Sequence, residues 1–100
     1  MNIKITARKF KAHDSLKDYI KDELMSLERF SDDLIKADVI LSYQNSTNSL
    51  KIAEVILKMP GHTLTSKVES DDFKKSVSSA VEKMRTQLQT IKSKRVNKTR

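Results

Sequence analysis

The chain begins with a period of two. Ile3, Ile5 and Ala7 share one side of residues 2–8, and Asn2, Lys4, Thr6 and Arg8 the other, which predicts a strand. From Leu16 the period lengthens: Leu16, Tyr19, Ile20, Leu24, Leu27 and Phe30 form one apolar stripe along a helix. Asp14 or Ser15 is placed to cap it, with Asp18 three residues after Ser15 in a capping-box pattern. Residues 31–36 break the stripe. Alternation returns in Ala37, Val39, Leu41 and Tyr43 and stops at Gln44-Asn45-Ser46-Thr47-Asn48-Ser49, a polar run that reads as a loop. Ala53, Val55, Leu57 and Met59 line a third strand, ended by Pro60-Gly61, a dipeptide suited to a type II turn. Leu64, Ser66 and Val68 mark a fourth strand. Ser70, followed by Asp71-Asp72, reads as an N-cap with acids at the positive end of the helix dipole. The last helix then carries Phe73, Val77, Ala80, Val81, Met84, Leu88 and Ile91 on one face.

The order β-α-β-β-β-α predicts a single α+β domain, a four-stranded sheet with two helices packed on one face. Ile40, Ile52 and Ile56 fall on the opposite face, which is therefore not wholly polar. Residues 1–95 form the expected domain and residues 96–100 a basic C-terminal tail. One hundred residues suffice for one core, and no repeat or linker divides them.

Composition narrows the chemistry. With no cysteine there is no disulfide, thiolate zinc site or cysteine nucleophile, and a reducing compartment is the simplest home. The longest apolar runs, Val39-Ile40-Leu41 and Val55-Ile56-Leu57, fall far short of the roughly 20 residues of a membrane span. The first residues lack the apolar core of a signal peptide, so the expected location is cytoplasmic, with no membrane partner. A single glycine leaves no room for a P-loop, a dinucleotide fingerprint or a glycine-bracketed KH loop. His13 and His62 fall in predicted turns, and the pairs Asp32-Asp33 and Asp71-Asp72 lie where one helix ends and the other begins. No nucleophile, base or metal set converges, so the expectation is a protein without catalysis, cofactor, metal or small-molecule substrate.

Charge is the informative feature. Residues 1–82 hold 13 Lys/Arg and 13 Asp/Glu, whereas residues 83–100 hold seven cations and no acid, which accounts for the whole net charge of +7. Charge concentrated at one end draws polyanions. At 100° per residue, Lys74, Arg85 and Lys92 share one flank of the last helix's apolar stripe, and Lys83 and Lys94 the other. Lys74 to Lys92 spans ~27 Å, long enough to follow several phosphates. Tyr19, Phe30, Tyr43 and Phe73 fall on core faces, leaving Phe10 as the one candidate for base stacking, with a packed strand end as its simpler role. The reading is recognition of an RNA backbone by charge and shape, without sequence-specific base readout.

Several local patterns, in this order, resemble the short ribosome hibernation promoting factors, the family that includes the ribosome-associated inhibitor called protein Y and is also labelled sigma-54 modulation protein. They are Ile5-Thr6-Ala7-Arg8, Leu16-Lys17-Asp18-Tyr19-Ile20, Leu27-Glu28-Arg29-Phe30, Ala37-Asp38-Val39, Ala53-Glu54-Val55, Met59-Pro60-Gly61 and Glu82-Lys83-Met84-Arg85-Thr86-Gln87-Leu88, leading to Lys92 and Lys94. The resemblance covers residues 3–95. It implies binding to the small ribosomal subunit and its 16S rRNA within the 70S ribosome, at the decoding centre. There the protein would block mRNA and A- and P-site tRNA and silence translation. The rRNA-binding residues expected from charge and resemblance together are Arg8, Lys74, Lys75, Lys83, Arg85, Lys92, Lys94 and Arg95. Departures fall at Glu23 and Ser26, where the family often has lysines, at Lys74, where it often has an aromatic, and at Thr90, where a basic residue is frequent. The extra C-terminal domain of long members, through which ribosomes pair, is not expected in a chain of this length. Two other readings stand beside this one. The last five elements have the α-β-β-β-α order of a double-stranded RNA-binding module, and the sigma-54 label suggests a protein-interaction regulator.

Overall fold

The computed structural model describes residues 1–44 and 50–98, with side chains described as far as Lys92. Its elements are β1 (Asn2–Ala7), α1 (Asp14–Met25) with a 3-10 turn at Ser26–Arg29, β2 (Lys36–Gln44), β3 (Leu50–Met59), β4 (His62–Ser70) and α2 (Phe73–Lys98). The expected β-α-β-β-β-α order and single α+β domain are what the chain adopts. The polar run after Gln44 lies outside the described residues, apart from Gln44 itself, which ends β2 in register with Leu50.

The strands lie in the order β1-β2-β3-β4. β2, β3 and β4 are antiparallel neighbours, and β1 runs parallel to β2 because α1 carries the chain back across the sheet. Register aligns the apolar positions in rows: Ile3, Ala37, Leu57 and Leu64 form one, and Ile5, Val39, Val55 and Ser66 the next. Over these rows lie Ile20, Leu24 and Leu27 from the first helical segment and Val77, Val81, Met84 and Leu88 from α2, all buried. Each of the larger side chains contributes about 1.5–3 kcal/mol by leaving water, so this one layer carries the stability of the domain. Ile40, Ile52 and Ile56 are half-buried on the open face, and each stands opposite an acid, Glu54, Glu69 and Asp38 respectively.

Helix ends differ from the sequence reading in instructive ways. α1 starts at Asp14 with His13 at the N-cap, and no side chain caps it, so neither Asp14 nor Ser15 serves. The His13 carbonyl instead takes the N–H groups of Leu16 and Lys17, both at 3.0 Å. The stripe from Leu16 to Phe30 is continuous, but the helix tightens after Met25. Ser26 Oγ donates to the Glu23 carbonyl at 2.6 Å, the local competition by which serine loosens a helix. Ser70 ends β4. Its Oγ accepts the Asp72 N–H at 3.2 Å, while the Asp72 carbonyl accepts the first helical bond from Ser76, which puts Asp72 at the N-cap position. Gly61 has φ +78, as the third position of a type II turn demands, and Met59 pairs with His62 around it; His62 thus begins β4.

The start of α2 is latched to the sheet. Ser76, fully buried, donates to the Lys51 carbonyl at 2.8 Å, and Lys51 Nζ donates to the Asp71 carbonyl at 3.2 Å. Ser76→Ala should therefore lower unfolding free energy by about 0.5–1.5 kcal/mol, the net worth of one lost hydrogen bond, as read by urea denaturation.

Candidate nucleic-acid interface

Because α2 must bury its stripe on β3 and β4, its two flanks face different neighbours. One flank meets α1. There Lys74, exposed, holds its ammonium 5.6 Å from the centroid of the Tyr19 ring, and the Arg85 guanidinium carbon lies 5.6 Å from that of Phe30. Both are cation–π distances. Arg85 is also ion-paired with Glu82, its side chain 30% exposed and its Nε buried without a hydrogen-bond partner. The fork is thus held in place between a ring and a carboxylate. Farther along the same flank, Lys92 lines a cavity of about 350 Å³ with Arg29, Phe30, Asp32, Asp33 and Ile91, two cations facing two carboxylates. Lys74, Arg85 and Lys92 therefore form a row along the groove between the helices.

The other flank faces β4, where Gln87 Nε2 donates to the Thr65 carbonyl at 3.1 Å. Lys83 belongs to this side and is exposed. Lys75 is exposed and ion-paired with Asp71 at 3.4 Å. Arg8 sits past the end of β1, near the start of α2 and at the other end of the sheet from Lys92, and lines a cavity of about 420 Å³ with Lys9, Ser42 and Tyr43. Lys94 and Arg95 fall within α2, and their side chains lie outside the described residues. The eight sequence candidates thus divide into a row of three in the groove, Lys83 and Lys75 elsewhere on α2, Arg8 at another site, and two undescribed.

α1 adds little positive charge. Its exposed side carries Asp14, Asp18 and Asp22 against Lys21, with Glu23 half-buried beside Tyr19. Sequence reasoning passed over Arg29, which enters the groove from the 3-10 turn; its place beside Phe30 at the end of the first apolar stripe was the available signal. It also placed Tyr43 in the core, whereas Tyr43 is 44% exposed. The residue alternates correctly, but it stands near the end of β2, where of the helices only Phe73, the first residue of α2, reaches it. Phe10 is half-buried against the core and stacks on Phe73, with centroids 5.1 Å apart and planes 12° apart, so it takes the simpler of its two expected roles, packing, and not base stacking. Among the described residues no three His, Asp or Glu side chains gather to hold a metal ion. No helix among them is long and apolar enough to cross a membrane.

The β-α-β-β-β-α order of the chain agrees with what comparison finds. The family described as Sigma 54 modulation protein / S30EA ribosomal protein matches residues 3–96. The chain belongs to this family. Among its relatives, the ribosome hibernation promotion factor of Bacillus subtilis is 27% identical over 94 residues, which make up 94% of this chain and 50% of that protein. The chain thus spans half the length of the curated relative it matches. The N-terminal domain of protein Y from Thermus thermophilus superposes with a TM-score of 0.81 at 28% identity, covering 91% of this chain and 99% of that one. A ribosomal subunit interface protein from Coxiella burnetii gives 0.79 at 26% identity, covering 93% and 99%.

Tyr19 provides a probe of the groove. Burial pushes its phenol above the ordinary 10.0, assisted by the Glu23 carboxylate that accepts its hydroxyl at 3.2 Å, while the Ser78 hydroxyl pulls the other way. A phenol whose pKa is raised by folding contributes stability that is complete below 10 and is lost as pH rises through the folded value. In an absorbance titration at 295 nm, one tyrosine should ionise above 10 in the folded protein, and Tyr19→Phe should remove that late step.

Proposed function

We propose that this chain is a ribosome hibernation factor without catalytic activity. It binds the small ribosomal subunit of the 70S ribosome at the decoding centre, through 16S rRNA, in the cytoplasm. Occupying that space, it blocks mRNA and A- and P-site tRNA and silences translation. The observation that carries this reading is the row Lys74, Arg85 and Lys92 along one rigid flank of α2, in a chain with the fold of protein Y. The names of the relatives, a hibernation promotion factor and a subunit interface protein, support the partner.

In this reading the groove holds the RNA backbone. Phosphates follow the row of cations, and Arg85, already held by Phe30 and Glu82, loses little rotamer entropy on binding. Acids on the exposed side of α1, with Asp32 and Asp33 beside Lys92, repel the same backbone, so the affinity rests on the cations of α2 and on Arg29 outweighing them. Lys75, Lys83, Lys94, Arg95 and Arg8 add long-range attraction or contacts outside the groove. A double-stranded RNA-binding module would use Lys74-Lys75, at the start of its last helix, as a free basic cluster. In the structure one of these lies over Tyr19 and the other pairs with Asp71, which favours the ribosomal reading.

Co-sedimentation with 70S particles across a salt series is the test. Binding should be saturable near one per ribosome, weaken with salt, and be displaced by mRNA with P-site tRNA. Each phosphate contact contributes about 0.7–0.9 to the slope of log affinity against log salt, so Lys74→Ala, Arg85→Ala and Lys92→Ala together should flatten it by about 2–3. Lys83→Ala, on the β4 side, should flatten it by less. Failure to bind ribosomes at low salt, or equal affinity for an isolated RNA duplex, would overturn the reading.

A further inference from the structure

The exposed aromatic of this protein lies at the other end of the sheet from Lys92. Tyr43 is paired in register with Lys51, at the start of β3, whereas Lys92 shares its cavity with Met59, at the end of that strand. The two cavities are therefore about 27 Å apart, eight residues at the rise of a strand. Tyr43 is 44% exposed, yet it is firmly backed: its centroid lies 5.0 Å from Phe10 and 5.2 Å from Phe73, both edge-on. Lys51 Nζ lies 5.8 Å from the same centroid. Beside the ring is the cavity of about 420 Å³ lined by Arg8, Lys9, Ser42 and Tyr43.

A second observation concerns the backbone. Lys9 has φ +65, a left-handed conformation that costs a residue with a side chain about 1–2 kcal/mol and that glycine adopts freely. The chain keeps a lysine there, exposed, next to Arg8. Strain of this kind is characteristic of positions retained for function. The cavity thus combines a backed, exposed aromatic ring, a serine hydroxyl and two cations at its wall, while Lys51, bonded to the Asp71 carbonyl, covers one side of the ring. An acidic peptide would use the cations and have no need of the ring, and a duplex RNA would present no free base to it. An unpaired nucleotide uses both, its base on the ring and its phosphates on Arg8 and Lys9.

We propose that Tyr43, with Arg8 and Lys9, forms a seat for one unpaired nucleotide of a single-stranded RNA segment, beyond the Lys74 end of the groove along α2. The inference rests on the RNA-binding reading above and adds to it a second RNA element, single-stranded, at the end of the sheet away from Lys92. Stacking is indifferent to base identity, so the seat selects an unstacked nucleotide over a paired one and not one base over another.

The experiment uses the full chain and two end-labelled hexanucleotides, one of adenosines and one abasic with the same phosphates. The wild type should prefer the adenosine strand. Tyr43→Ala should reduce that preference about 5- to 100-fold, the range supplied by one base–aromatic stack, while Tyr43→Phe and Tyr43→Trp retain it. Tyr43→Leu keeps an apolar body against Phe10 and Phe73 and should show the same loss, which separates stacking from misfolding. Lys9→Gly relieves the backbone, so it should melt no lower than the wild type while binding both strands more weakly with the base preference intact. The chain has two tyrosines and no tryptophan, so in a Tyr19→Phe background the adenosine strand should quench the emission of Tyr43. No preference in the wild type, an undiminished preference in Tyr43→Ala, or equal binding of a hexaglutamate peptide would overturn the seat. Those results with ribosome binding intact would leave the proposed function standing. Loss of the preference in Tyr43→Ala in a protein that does not bind ribosomes would instead retain the seat and overturn that function.

Discussion

The structure depends on the burial of one apolar stripe. Val77, Ala80, Val81, Met84 and Leu88 leave water where α2 packs on β3 and β4. Once that stripe is down, rotation of α2 about its axis is no longer free. Lys74, Arg85 and Lys92 then face α1, and Lys83 faces the β4 edge, whether or not any ligand is present. The groove's electrostatics are thus a consequence of hydrophobic packing. Ser76, buried at the start of the helix and bonded to β3, fixes the remaining freedom, the sliding of the helix along its axis.

Most of the fold was legible because two periods alternate cleanly along the chain. Period two marked Ala37 to Tyr43 and Ala53 to Met59, period 3.6 marked Phe73 to Ile91, and Pro60-Gly61 punctuated the hairpin. What escaped was set by interactions that periodicity does not encode. Ser70 looks like a cap, but β4 extends through it and Asp72 takes that place. The tightening at Ser26 comes from one hydroxyl bonding back to Glu23. Tyr43 has the parity of a core residue and is exposed because burial needs a helix overhead as well as the right side of a strand.

The site was legible to a similar depth. Helical angles alone put Lys74, Arg85 and Lys92 on one flank, and the structure has them there. The rings beneath two of them were less visible, since Tyr19 and Phe30 were accounted for as core. Each in fact has two roles, with its body half-buried in the helix interface and a face or edge offered to a cation. Amphipathic aromatics do this readily. A sequence pattern assigns a residue to one side or the other and has no notation for a boundary.

The one-ended charge has two physical readings, and their magnitudes separate them. Cations near a helix C-terminus oppose the negative end of the dipole and stabilise the helix by about 0.3–1 kcal/mol each, within the last turn only. That effect accounts for Arg95 and Lys98 without any partner. It does not reach Lys83 or Arg85, which lie three turns or more from the end of α2 at Lys98. At Lys74 and Lys75 it has the opposite sign, since these residues stand in the first turn, where the dipole disfavours positive charge. Lys75 is compensated by Asp71, four residues before it, and Lys74 by the face of Tyr19. A cation held where its own helix opposes it, and steadied there by a ring worth about 0.5–1 kcal/mol, is the arrangement expected when a phosphate rather than the helix is the beneficiary.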